Sequence, residues 1–172
     1  SDSYGILTNR DLYLKAHYTT EFFTAKINNT KPVFDSAKID ESKTERYVKV
    51  AKKYGVRILP PSINKSKVMM YIEDDYIIRY GLWFVKGVKS HAEKIVNDTY
   101  ISFEDFYNKN KKLNKAAFEG LVCVGYFDDV ISNRAQLINA FLEWSDKDGN
   151  NKKGNLLDFV EAHKNDKPLT DK

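Results

Sequence analysis

Two glycines constrain the fold of this chain more than any other feature: Gly87 in "FVKGVKSHAEKIV" and Gly125 in "FEGLVCVGYFDDV". Each is set between apolar stretches with helical spacing. Ala92, Ile95 and Val96 give the stretch after Gly87 one apolar side, and Ala117, Phe118, Leu121 and Val122 do the same for the stretch before Gly125. A glycine at such a place permits a tight turn between helices. Ser90 and Glu93 have capping-box spacing, which predicts a helix from His91. A turn entering a helix presents amides without intrahelical partners, and so offers a seat for an anion. Lys86 and Lys89 flank the first glycine and would add charge. The same residues also suit a plain packing turn with solvated lysines, so this stretch alone leaves both readings open.

The remaining elements are mostly helical. "RDLYLKAHYTTEFFTAKI" predicts one helix with Leu12, Ala16, Phe23 and Ile27 on a stripe. "ESKTERYVKVAKKYG" predicts a second, with Tyr47, Val50, Ala51 and Tyr54 inward and Gly55 as its stop. "VRIL" reads as a short strand ended by Pro60 and Pro61, and "KVMMYIEDDYIIRY" as two strands around Asp74 and Asp75. Residues 81–86 and 91–97 are predicted helical around the first turn. Ser102 starts another helix with Asp105 at capping-box spacing, and a further one runs from Asn133 to about Trp144 with Leu137, Ile138 and Phe141 inward. "SDKDGNNKKGN" reads as a linker, "LLDFVEAH" as a short helix, and the last residues as a frayed end.

Composition sets outer limits. With 172 residues, 42% hydrophobic and 13% aromatic, the chain can build a real core. A net charge of +4 suits a polyanionic partner without requiring one. Cys123 is the single cysteine, which rules out an internal disulfide and makes a reducing, cytoplasmic setting the default. No apolar run approaches the length of a membrane span, and the first residues do not read as a signal peptide.

The two glycine turns lie about 38 residues apart, the arrangement of tandem helix-hairpin-helix elements. Such units hold phosphate paths through backbone amides and read backbone rather than bases. The candidate DNA-binding residues are Lys86, Gly87, Val88, Lys89 and Ser90 in the first hairpin. In the second they are Val124, Gly125 and Tyr126, with Asn133 and Arg134 at the next helix start.

Five segments carry a family resemblance: "LYLKAHYTTEFF" at 12–23, "KKYGVRILPPSINKS" at 52–66, "IRYGLWFVKGVKSHAEKIV" at 78–96, "LNKAAFEGLVCVGYFDDV" at 113–130 and "NRAQL" at 133–137. In this order they resemble the C-family replicative polymerases, the alpha subunit of bacterial DNA polymerase III. The match covers about residues 3–145. The resemblance implies the end of a fingers region over 1–66, a β-hairpin with a tandem helix-hairpin-helix module over 67–145, and a polar linker and tail over 146–172. It implies a mainly α (α+β) fold, double-stranded DNA as partner, and a sliding clamp or other replisome subunits as further partners. It also implies that the palm aspartates and their Mg2+ ions belong to an intact polymerase and lie upstream, so that no catalytic residue, metal or cofactor is expected here. Three departures stand out. Lys89 replaces a usual Gly, Thr19 often a Pro, and Tyr126 a small residue. They fit a divergent member of bacterial or phage origin.

Other patterns yield less. Asp146, Asp148 and Asn150 have calcium-loop spacing, but Asn151, Lys153 and Leu157 occupy positions where such a loop needs Gly, an aliphatic and Glu. "NLLDF" at 155–159 partly matches a clamp motif, yet reads better as an amphipathic helix packing its own apolar side. His17, His91 and His163 are scattered and suggest no zinc site. Two rival functions remain at this point: a replisome protein-interaction module, and a helix-hairpin-helix DNA-repair protein.

Overall fold

Tyr18 divides the first helical stretch in two. A computed structural model describes residues 9–32, 42–145 and 154–170. In it α1 (Asn9–His17) ends one residue before α2 (Thr19–Asn28), and Tyr18 between them has φ −134° and ψ 55°. The Thr19 hydroxyl donates to the Lys15 carbonyl at 2.7 Å, closing the last turn of α1. A single stripe therefore does not run through both helices. Phe22, Phe23 and Ile27 are buried, while Leu12 is 49% exposed. The expected continuous helix is corrected to two that lie against each other.

Helix α3 (Lys43–Lys53) forms where its sequence places it. Ser42 and Glu45 exchange both bonds of a capping box. At its other end Gly55 and Val56 donate back to Lys52 and Ala51, a Schellman ending. The chain then enters β1 (Arg57–Leu59), followed by the hairpin β2 (Tyr71–Asp74) and β3 (Ile77–Arg79). β2 and β3 pair antiparallel, and β1 joins β3 in parallel with Ile58 opposite Ile78, giving the order β1-β3-β2. The fold is mainly α with this small three-stranded sheet.

After a 3-10 turn at Leu82–Phe84 the chain is helical: α4 (Ala92–Val96), α5 (Phe103–Lys109), α6 (Lys115–Cys123), α7 (Arg134–Trp144) and α8 (Leu156–Ala162). Ser102, Asn114, Asn133 and Asn155 each accept a backbone N–H as N-caps.

Burial divides into two apolar clusters. Phe22, Phe23, Ile27, Met70, Ile78 and Phe84 join α2, α3 and the sheet. The larger cluster joins α4 to α8 around Phe106, Phe118, Leu121, Phe127, Phe141 and Trp144. Its rings interlock, with Phe118 stacked on Phe141 at 4.4 Å and Phe103 edge-on to Phe127 at 5.2 Å. Each such ring, fully buried, contributes on the order of 1.5–3 kcal/mol. The 3-10 turn stitches the clusters together, because Phe84 enters the first while Leu82 and Val85 enter the second. The core therefore does not divide at residue 66: the β-hairpin packs with α2 and α3, and Ile63 packs with the helices beyond.

The C-terminal segment is also part of this core. Helix α8 buries Leu156 and Val160 against α7, as expected of a helix packing its own apolar side. The expected frayed end is instead tied down through residue 166. The Asn133 and Asn139 amides donate to the Asp166 carbonyl and carboxylate at 2.7 and 2.6 Å. His163 bonds Asp166 through Nδ1 at 2.7 Å and Glu143 through Nε2 at 2.6 Å. These two carboxylates raise the pKa of His163 above its ordinary value.

Candidate functional site

The first turn is built from 3-10 winding on both sides. Val85 leaves the Leu82–Phe84 turn with φ −90° and ψ 129°, and a second 3-10 turn, Lys89–His91, leads into α4. The expected α-helix over 81–86 is thus corrected to one 3-10 turn. The capping box also does not form. His91 takes the N-cap position of α4 without a side-chain bond, because Ser90 is already wound into the preceding turn.

Gly87 has φ +79°, and a Cβ there would lie 2.7 Å from the Ala116 carbonyl carbon and oxygen. Its lack of a side chain thus serves contact with the start of α6. Gly120 plays the matching part from inside α6, where a Cβ would overlap the Lys86 carbonyl oxygen. Val88 is fully buried and anchors the turn.

The backbone amides of this turn are unevenly engaged. Val88 donates to Val85 at 3.1 Å and His91 to Val88 at 2.8 Å. Among the described residues no backbone carbonyl accepts from Gly87, Lys89 or Ser90. All three residues are exposed, as is Lys86. The Lys89 ammonium rests over the Trp83 ring, 4.3 Å from its centroid. Val68, Trp83, Gly87, Lys89, Ser90 and Glu93 line a shallow open cavity there.

The second turn has the same backbone form and a different wiring. Gly125 has φ +83°. Its amide donates to Val122 at 3.1 Å and that of Tyr126 to Leu121 at 3.0 Å, which makes a Schellman ending for α6. Tyr126 is 2% exposed and packs among Phe106 and Phe127, and burial pushes its hydroxyl pKa far up. Its side chain is a core element. Val124 is half-buried in the turn.

Arg134 lies over Gly125 and is bonded to its neighbours in the fold. Its Nε and Nη2 donate to the two oxygens of Asp128 at 3.0 and 2.7 Å, and its Nη1 to the Cys123 carbonyl at 3.1 Å. Asn133 caps α7 through the Ala135 amide and holds the Asp166 carbonyl. The structure therefore gathers Lys86, Gly87, Lys89 and Ser90 on one exposed turn. Val124, Gly125, Tyr126, Asn133 and Arg134 instead sit in a turn closed by its own contacts.

Residues 55–137, which contain both turns, match the family described as helix-hairpin-helix motif. The DNA polymerase III subunit alpha of Aquifex aeolicus is 38% identical over 146 residues, 80% of this chain and 12% of that protein. The same subunit of Escherichia coli is 32% identical over 152 residues, 81% of the chain and 12% of the relative. That of Bacillus subtilis is 32% identical over 146 residues, 79% and 12%. Over this segment, the chain belongs to the bacterial DNA polymerase III alpha-subunit family. It spans 12% of the length of each of these relatives.

Two features of this alpha-subunit segment escape a reading of motifs. Trp83 becomes visible as a site residue only once Lys89 is seen above it. Gly120, a glycine inside a helix, was the signal for the close approach of α6 to the first turn. Among the described residues no three of His, Cys, Asp and Glu are grouped to hold a metal ion, and no helix is long and apolar enough to cross a membrane. The calcium-like spacing at Asp146, Asp148 and Asn150 lies outside the described residues.

Proposed function

We propose that this chain binds the phosphate backbone of double-stranded DNA without regard to sequence, as part of DNA replication, and that its first hairpin makes the principal contact. The observation that carries this reading is the exposed turn with three uncommitted amides, at Gly87, Lys89 and Ser90, beside two lysine side chains. Backbone N–H groups and ammonium groups suit phosphate oxygens and carry no base information. Base reading in a groove wants fork-like donors such as Arg or Asn. Arg134 and Asn133, the two candidates of that kind, are bonded to Asp128, Cys123 and Asp166 instead.

The resemblance to DNA polymerase III alpha subunits supports a role on duplex behind a polymerising centre. The chain alone extends no primer in this reading. Fluorescence anisotropy with duplexes of scrambled sequence tests the binding. Affinity is expected to be equal across sequences and to fall with salt at a log–log slope of about −2 to −3, at about 0.9 per phosphate neutralised. A strong preference for one sequence, or affinity indifferent to salt, would overturn the proposal.

A further inference from the structure

The Lys89 side chain holds a place that packing of the first turn does not explain. Among the described residues no carboxylate forms an ion pair with it. A lysine on a turn carries a long, flexible stem, and holding it in one place costs rotamer entropy. Here its ammonium lies over the face of Trp83 at 4.3 Å, where the ring quadrupole attracts a cation. The ring is itself fixed. Its backbone amide donates to Val68 at 2.9 Å and its edge packs on Phe84 at 4.9 Å, which is rooted in the first apolar cluster. The indole is thus a shelf that connects the ammonium to the core, beside the cavity that Gly87 and Ser90 also line.

We infer that Trp83 is a positioning residue, whose indole face presets the Lys89 ammonium beside the exposed turn so that side chain and turn receive one phosphodiester group together. This rests on the duplex-binding reading and adds to it a residue whose part is to hold Lys89 in place. A pre-set cation forgoes part of the ordering cost on binding. An ammonium free to wander would contribute its charge but lose that gain.

The test is a mutant cycle on the whole chain, titrated with a duplex of mixed sequence over a range of salt. Lys89→Gln is expected to flatten the log–log salt slope by about 0.9, the value of one phosphate contact. Trp83→Leu, with Lys89 present, is expected to lower affinity about two- to fivefold, the range of an exposed cation–π contact. Trp83→Phe keeps a ring face and should retain most of the affinity. In the Lys89→Gln background Trp83→Leu should cost nothing further. Equal losses with and without Lys89, or parental affinity for Trp83→Leu, would overturn the inference while leaving duplex binding intact. If Trp83→Leu melts early, acrylamide quenching of the parent decides. Trp144 is buried, 3% exposed, so Trp83 dominates quenching, and duplex should shield it. Absence of shielding overturns the shelf. A parent chain that leaves duplex unbound at low salt overturns the duplex-binding reading and the shelf with it.

Discussion

The turns at Gly87 and Gly125 have nearly the same backbone, with φ +79° and φ +83°, yet they are wired in opposite ways. At Gly125 the amides of Gly125 and Tyr126 close helix α6, and the Arg134–Asp128 pair covers the glycine. At Gly87 the helix ahead is replaced by a 3-10 turn, and among the described residues the amides of Gly87, Lys89 and Ser90 donate to no backbone carbonyl. The difference teaches that a glycine in the left-handed region marks a turn but does not say what the turn is for. Function depends on whether the amides around it already have acceptors.

The comparison breaks most severely if the second turn loses its anchor. Tyr126→Ala should cost about 3–5 kcal/mol, the range for removing a large buried ring, read from urea denaturation. A small loss would mean that the second turn is not the structural one. Gly87→Val should follow, at roughly 2–4 kcal/mol, since a left-handed β-branched residue is strained and its Cβ would meet the Ala116 carbonyl. Loss of DNA binding by this variant is then a loss of fold. Gly125→Ala should cost only about 1–2 kcal/mol, because the atoms it meets are the mobile ends of Arg134 and Asp128.

Arg134→Gln sharpens the contrast at smaller scale. The ion pair is about two-fifths exposed on both sides, so its loss should cost about 0.5–1 kcal/mol of stability. The DNA salt slope should stay unchanged, whereas Lys89→Gln should flatten the slope and cost no more stability than its contact with Trp83, about 0.5–1 kcal/mol. A flattened slope for Arg134→Gln would return the second hairpin to the DNA interface.

The smallest effect concerns pH. The pKa of His163 is raised by its bonds to Glu143 and then Asp166, so the charged form is favoured in the folded chain. Its contribution is full below the ordinary histidine value and fades as pH rises through the raised one. Amide exchange around Asp166 should therefore quicken, beyond the intrinsic rate change, as pH rises above the ordinary histidine value of about 6.5. His163→Gln should remove that excess, and an identical excess in the variant would remove His163 from the account.

Much of this was legible in the residues. The stop at Gly55, the cap at Ser102 and the strands around Asp74 and Asp75 follow from short-range chemistry, and each forms where that chemistry places it. The break at Tyr18 was not legible, because the periodicity of Phe23 and Ile27 continues plausibly back to Leu12 and nothing local shows that Leu12 faces water. The Ser90–Glu93 capping box failed for a related reason. Its spacing is right, but tight winding from Lys89 moves the helix start one residue on.

By itself the sequence determined the helix-rich composition, the two glycine turns, some of the helix ends, and membership in the polymerase family. These depend on neighbours a few residues away, or on segments matched in order. Only the tertiary structure decided that β1 joins β3, that Tyr126 points into the core, that Arg134 closes the second turn, and that Trp83 carries Lys89. The physical reason is one of range. A positive φ is a property of one residue, but whether an amide or an ammonium is left without an internal partner depends on which distant helix packs beside it.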